Sequence, residues 1–281
     1  MSSFTAFSNK MLSLILAFIF LPLSALTYGV DALSSGKRTD ENRTNVAGIG
    51  AYFRSQGITS DGEGFFFSCK TSLIHTGDDS RTLINYNLTA IPDEIGSKYG
   101  IKHIGGISYY NGKIYAGLED SKVWKYPVVG VYSAETLQLE EYYLMNPDMI
   151  TRGLPWVAVD SSTGLLYCAD HSKTPEVLFA FDTSNEMKLV NTVTLSESVS
   201  SIQGAEFRNG ILYAATNDET QAIYKIDINS GAVSKYLDRN LTKGSEGEGM
   251  TFIEKNGKTV LTAIDMGPLF VNAFVREYPF N

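Results

Sequence analysis

Carboxylates and amides recur at one kind of position along this chain: Glu119 with Asp120, Asp170 followed by His171, Asn217 with Asp218 and Glu219, and Asp265. Each stands where a short apolar segment ends. A second series, Gln56, His103, Arg152, Gln203, Glu246 and Glu248, stands just ahead of the segment that precedes each of these. If the two series meet on one face, Glu119, Asp170, Asn217, Glu248 and Asp265 make an oxygen-rich set. Such a set suits a hard cation, because Ca²⁺ takes its oxygens from scattered loops. A cation held there would polarise an ester or phosphoester. The same residues also have a plainer use, since Asp and Asn favour strand ends where they bond to their own backbone. His103 and His171 fall on the same face and offer a general base, with Gln203 as a further polar contact. No nucleophile–base–acid order and no G-x-S-x-G elbow accompanies them. The run Gly244-Ser245-Glu246-Gly247-Glu248-Gly249 is not G-x-G-x-x-G and no βαβ unit surrounds it, so a nucleotide site is discarded. Trp124 and Trp156 present large aromatic faces, suited to stacking on a sugar or to filling a core.

The elements that must position these residues repeat. Five segments open at Gln56-Gly57-Ile58, Gly105-Gly106-Ile107, Leu154-Pro155-Trp156-Val157, Gln203-Gly204-Ala205 and Glu248-Gly249-Met250. They recur about every 45–50 residues, the period of a propeller blade. Each opening strand runs into a turn dipeptide: Asp61-Gly62, Asn111-Gly112, Thr163-Gly164, Asn209-Gly210 and Asn256-Gly257. Asn-Gly and Asp-Gly favour the left-handed backbone of two-residue hairpins. An apolar, aromatic second strand follows, then a third, read as Leu83–Tyr86 in the first unit and Phe270–Phe274 in the last. No helical period competes.

One unit cannot bury both faces of its sheet, but a ring of units can. The expectation is an all-β chain forming a single five-bladed β-propeller, with six blades as the nearest alternative and a sandwich as the other all-β solution. The last unit runs out after three strands, which leaves an open sheet edge. The apolar stretch Val46–Phe53 precedes the first unit and is expected to close the last blade as its outer strand. The division is a signal peptide over 1–25, an N-terminal linker over 26–45 and the propeller over 46–281.

Lys10 followed by the apolar run Met11–Leu23 and small residues at Ser24-Ala25 describes a secretory signal, with an uncleaved signal anchor as the alternative. Asn42, Asn87 and Asn240 each head an Asn-x-Thr glycosylation sequon. Together these predict a secreted, extracellular glycoprotein. The net charge of −8 argues against nucleic acid and anionic membrane surfaces. The two cysteines, Cys69 and Cys168, fall in non-adjacent units and are expected as buried free thiols.

The stretch from Ile202-Gln203-Gly204-Ala205-Glu206-Phe207 through Ala214 to Ile223–Asp227, followed by Glu248–Phe252, resembles the YncE/NHL-like and SdiA-regulated-type propeller repeats. Gln56-Gly57-Ile58 and Ala205–Gly210 are similar, at a second level, to strand openings of plant-type glutaminyl cyclases, which are secreted five-bladed rings. A calcium-dependent lactonase or esterase of the gluconolactonase type is a further analogy, whose Glu, Asn and Asp set the candidate residues are able to supply. The resemblance implies a binding or interaction module with a small molecule, sugar or protein at the channel face. It implies a metal-dependent hydrolase or a cyclase as the alternative. No cofactor beyond possible Ca²⁺ is implied.

Overall fold

A computed structural model describes residues 40–120, 124–172 and 175–280. The signal segment and most of the linker lie outside the described residues. Among the described residues twenty strands form five four-stranded antiparallel sheets, and the sheets form a five-bladed propeller. Strand β1 (Asn42–Ala47) comes first in the chain but belongs to the last blade. The first blade contains β2 (Ile58–Ser60), β3 (Gly64–Cys69), β4 (Ser72–Gly77) and β5 (Leu83–Asn87). The second contains β6 (His103–Tyr110), β7 (Lys113–Glu119), β8 (Val128–Ser133) and β9 (Leu139–Leu144). The third contains β10 (Ala158–Asp160), β11 (Leu165–Cys168), β12 (Val177–Asp182) and β13 (Lys188–Thr194). The fourth contains β14 (Ile202–Arg208), β15 (Ile211–Thr216), β16 (Ile223–Asp227) and β17 (Val233–Leu237). The fifth contains β18 (Glu246–Lys255), β19 (Lys258–Met266) and β20 (Asn272–Pro279), completed by β1.

The hairpin chemistry reads through at three turns. Asn111-Gly112, Asn209-Gly210 and Asn256-Gly257 all take φ between 49° and 77°, the paired left-handed state of a tight hairpin. At Asp61-Gly62 and Thr163-Gly164 only the glycine is left-handed, and the loops are longer. In the first blade the third strand is β4, and the expected third strand, Leu83–Tyr86, is the fourth. The reversal from β3 to β4 uses Lys70 and Thr71, residues that carry no turn signal.

The N-terminal strand closes the ring, but earlier in the chain than Val46–Phe53. Asn42–Ala47 lies antiparallel to Asn272–Glu277. Gly48, at φ 62°, then turns the chain inward, and Ile49–Tyr52 forms a short helix, α1. The chain must leave an outermost strand and reach an innermost one, so an extended run could not continue. Ala51 of α1 packs on Met266 and Ala273.

The repeated glycines owe their place to the axis. A Cβ on Gly105 would sit 2.1 Å from the Pro155 carbonyl, and one on Gly106 would sit 2.5 Å from the Gln203 carbonyl. A Cβ on Gly249 would fall 2.9 Å from the Ile58 nitrogen, and one on Gly204 would fall 2.7 Å from the Gly249 Cα. Blade-to-blade bonds follow this layer: Gly249 N donates to Gln56 O at 3.0 Å, Ser68 Oγ to Gly105 O at 2.7 Å, and Gly106 N to Pro155 O at 2.7 Å. Gly106 and Gln203 belong to the second and fourth blades, so inner strands meet across the axis. At this level backbone fills the centre, and the face above it is a cup with a glycine floor.

The core lies between blades, where Trp156, Leu212 and Ile226 share one cluster and Ile58, Phe65 and Phe67 another. Trp156 is fully buried, so it serves packing. Cys69 and Cys168 are free and buried. Among the described residues no helix is long and apolar enough to cross a membrane.

Candidate functional site

The start of each inner strand lies beside the end of its second strand, because the two are antiparallel neighbours. His103 is opposite Glu119, Ile202 opposite Thr216, and Glu246 opposite Met266. Both sequence series therefore reach the rim of the cup. What they do there differs around the ring.

Over the first three blades the side chains are linked and partly open. His103 stands between two acceptors, 3.2 Å from Glu119 Oε2 through Nδ1 and 2.7 Å from Gln56 Oε1 through Nε2. Gln56 Nε2 donates to Ser55 O at 2.6 Å, which turns its oxygen toward the histidine. The imidazole is thus held in place from both ring nitrogens, by a carboxylate of its own blade and an amide at the entry to the first. The Glu119 side chain is 8% exposed, and its Oε1 is buried with no hydrogen-bond partner. That oxygen lies against Gly153, where a Cβ would come within 2.3 Å of it and within 2.7 Å of Trp124 Cδ1. Gly153 has φ 78°, a second reason for glycine.

Trp124 is brought to this place by Asp120, whose carboxylate accepts from the backbone nitrogens of Trp124 at 2.6 Å and Lys125 at 2.9 Å. The indole stacks with the His171 ring at 6.2 Å and 12°, and the Arg152 guanidinium lies 5.3 Å from its centre. Asp170 accepts from Thr151 Oγ1 at 3.0 Å and Ser172 N at 3.1 Å. The first ties down the segment that carries Arg152, and the second fixes the turn that carries His171.

Over the fourth and fifth blades the corresponding groups are spent inside the fold. Asn217 donates to Glu246 Oε1 at 3.3 Å and accepts from Gly247 N at 3.2 Å. Asp218 accepts from Thr220 N and Gln221 N and anchors its own turn. Asp265 is bound by Arg276, with Nε 2.6 Å from Oδ1 and Nη2 3.2 Å from Oδ2. Arg276 Nη1 also holds Glu41 Oε1 at 2.8 Å, and all three side chains are at most 1% exposed. Burial works against the Arg276 charge, but Asp265 more than offsets it and raises its pKa. Arg239 is fully buried and donates to the carbonyls of Gln221, Thr216 and Ile264. Burial pushes the Glu248 carboxyl well above the usual carboxylate range; Glu246 and Asp265 add to this and Arg239 opposes it.

Of the five candidate oxygen donors, Glu248 and Asp265 are thus neighbours, but they face arginines. Glu119, Asp170 and Asn217 each sit in a separate local network. Gln203 is half-buried, and its carbonyl forms part of the glycine floor. Among the described residues no group of three or more His, Cys, Asp or Glu side chains is placed to hold a metal ion. Sequence reasoning did not find Arg239, Arg276 or Glu41, which are single residues outside the repeating pattern. Nor did it find the stack of Arg152, Trp124 and His171, which is long-range and leaves no spacing signal.

Residues 149–270 match the family described as "Repeat of unknown function (DUF6923)". That span runs from the lead-in of the third blade to the start of β20, about two and a half blades. No curated protein matches the chain in sequence. Among solved structures, the chain is similar to a structural genomics protein of unknown function from Bacteroides thetaiotaomicron, at 12% identity and TM-score 0.51, over 86% of this chain and 68% of that one. It also aligns with the hydrazine synthase of Kuenenia stuttgartiensis, at 14% identity and TM-score 0.45, over 76% of this chain. The chain spans 56% of that protein's length. A luciferin-regenerating enzyme aligns at 11% identity and TM-score 0.46, over 85% of this chain and 96% of that one. At 12% identity the Bacteroides likeness speaks for the propeller fold and not for an activity.

Proposed function

We propose that this protein is a secreted binding module whose ligand site is the rim of the cup over the first three blades. The unspent Oε1 of Glu119 carries the reading. A buried acceptor without a partner costs about 1–3 kcal/mol, and a ligand hydroxyl or amine that reaches it recovers that cost. Beside it the indole of Trp124, the His171 ring and the exposed Arg152 supply stacking area and a cation. This combination fits a small polar ligand rich in hydroxyl or amine groups, a sugar being the simplest case.

The His103–Glu119 pair also supports a second reading. A histidine held between a carboxylate and an amide is equipped to move a proton, as hydrolysis or cyclisation at this rim would need.

Saturation-transfer NMR against a panel of neutral sugars, amino acids and simple amines tests the reading. We expect at least one panel member to bind the parent and to be lost in Glu119→Gln and Trp124→Ala. Binding that survives both substitutions, or an empty panel, would sink it. Secretion is checked by the N-terminus of protein recovered from culture medium, which should begin beyond the apolar run Met11–Leu23. Asn42 and Asn240 are exposed and open to glycans. Asn87 is buried and its Nδ2 donates to Leu137 O at 2.8 Å, so a glycan there requires breaking the fold.

A further inference from the structure

One buried carboxyl takes no part in the rim. Glu206 lies on β14, at the level just below the glycine floor. Its counterparts in the inner strands, by register with the second strands, are Thr59, Ser108, Val159 and Thr251. Four blades carry a hydroxyl or a methyl group at this level, and only the fourth carries an ionisable group. Glu206 Oε2 is 3.4 Å from Thr59 Oγ1 and 3.5 Å from Thr251 Oγ1. Those residues belong to the first and fifth blades, and the first blade is not adjacent to the fourth. A side chain that reaches both inner strands stands on the axis. Glu206 keeps part of its accessible surface although protein atoms surround its carboxyl densely. A narrow axial space reconciles the two.

The spacing of these oxygens carries the argument. Hydroxyl-to-carboxylate hydrogen bonds close to about 2.5–3.0 Å. Thr59 Oγ1 and Thr251 Oγ1 both donate to Glu206 Oε2 at lengths beyond that range, and the Phe207 backbone N–H also bonds to the carboxylate; Thr59 and Thr251 are at most 1% exposed. For a cation with metal–oxygen distances of 2.3–2.6 Å, adjacent oxygens at right angles stand about 3.3–3.7 Å apart. For Mg²⁺, at 2.0–2.1 Å, the figure is about 2.8–3.0 Å. The observed separations fall in the first range and outside the second. Thr59 Oγ1 already accepts from Tyr109 N at 2.8 Å, which fixes its position and leaves a lone pair for the axis. Thr262, fully buried and opposite Thr251 across β18 and β19, has a hydroxyl with no partner.

We infer that Glu206, Thr59 and Thr251 form an axial site for a hard cation of the size of Ca²⁺ or Na⁺, beneath the glycine floor and separate from the rim. The donor set is all oxygen, with one carboxylate able to bind through one or both of its atoms. One negative ligand makes it a weak site of the kind that tolerates several waters. The expectation of calcium thus moves from the rim carboxylates to the axis. The site joins the inner strands of three blades, so an ion there links the fourth and first blades through the fifth.

The test is thermal unfolding of the full chain, stripped with chelator, in choline chloride at pH 8.5. CaCl₂, NaCl and MgCl₂ are added in separate arms at matched ionic strength. A cation bound by the folded chain alone raises Tm with concentration. The expected result is a rise of several degrees with Ca²⁺ or Na⁺, whichever binds, and little with Mg²⁺. Glu206→Gln should abolish the rise, Thr251→Val should move its midpoint to about tenfold higher concentration, and Asp170→Ala should leave it unchanged. If Glu206→Gln does not fold, Thr251→Val decides alone. No rise with either cation overturns the inference. So does an equal rise with Mg²⁺, a rise undiminished in Glu206→Gln or Thr251→Val, or a rise lost in Asp170→Ala. Ligand binding at the rim is untouched by any of these outcomes.

Discussion

The two halves of the rim begin from the same sequence pattern and end in opposite states. Over the fourth and fifth blades, Asp265 is turned inward onto Arg276, Glu248 is buried in the field of Arg239, and Glu41 joins Arg276 from the residue just before the strand that closes the ring. Over the first three blades, Glu119, His103, Arg152 and His171 remain at the mouth, with an acceptor unspent. The difference follows from the seam. A closing strand taken from the far end of the chain must be locked in place, and a buried ion-pair network is specific in geometry even where it adds little net stability. The first three blades have continuous chain and no seam to lock, and their polar groups stay at the rim. Carboxylates at strand exits are therefore no single signal.

The largest effect should come from breaking the lock. Arg276→Met leaves Asp265 and Glu41 buried and unpaired, and should cost about 3–5 kcal/mol in urea unfolding. A loss under about 1 kcal/mol would mean that the seam does not depend on the network. Next comes the floor on which both halves rest. Gly105→Ala places a methyl group 2.1 Å from the Pro155 carbonyl, and backbone cannot swing aside. We expect a loss of about 1–3 kcal/mol, read by the same unfolding curves. A neutral result would mean that the axis is looser than described.

Acidity sharpens the contrast further. Burial pushes Glu206 up to about 8, and raises Glu248 as well. The folded chain then keeps protons that the unfolded chain releases above about pH 4.3. Stability from these groups is full below that value and is lost as pH rises through the folded value. Cation-free protein should show Tm falling between about pH 5 and 8, with Glu206→Gln giving a shallower slope. His75, whose pKa burial lowers, works in the opposite sense over the same window, so the comparison decides: a slope unchanged in Glu206→Gln would contradict the burial of that carboxyl. Glu119→Gln should have the smallest effect on stability, below about 1 kcal/mol, because it leaves shape and most contacts in place. A larger loss would place Glu119 with the structural half of the rim.

Much of the architecture was legible in the residues. The period, the Asn-Gly turns at 111, 209 and 256 and the need for a closing strand all follow from local chemistry that the final fold keeps. Strand β4 was passed over because Lys70 and Thr71 reverse the chain without Gly, Pro or Asn. Gly48 made the difference at the closing strand: a single left-handed residue ends the extended run earlier than hydrophobicity suggests. At the rim, the residue types were legible and their partners were not. Arg276 meets Asp265 across adjacent strands, and Arg239 reaches the carbonyls of Thr216, Gln221 and Ile264 from a loop, with no spacing in the sequence to announce either. Glu206 did leave a trace. Stacking the five repeats puts one carboxylate in a column of Thr, Ser and Val, a local inconsistency of the kind that marks function or strain.

The most direct test of the division compares backbone amide shifts of isotope-labelled protein with and without a bound panel ligand. The account predicts changes around 103–104, 119–120, 124–126, 151–154 and 170–172, and none at Asn217, Glu246, Glu248 or Asp265. Changes centred on those four residues, with the first three blades silent, would contradict it.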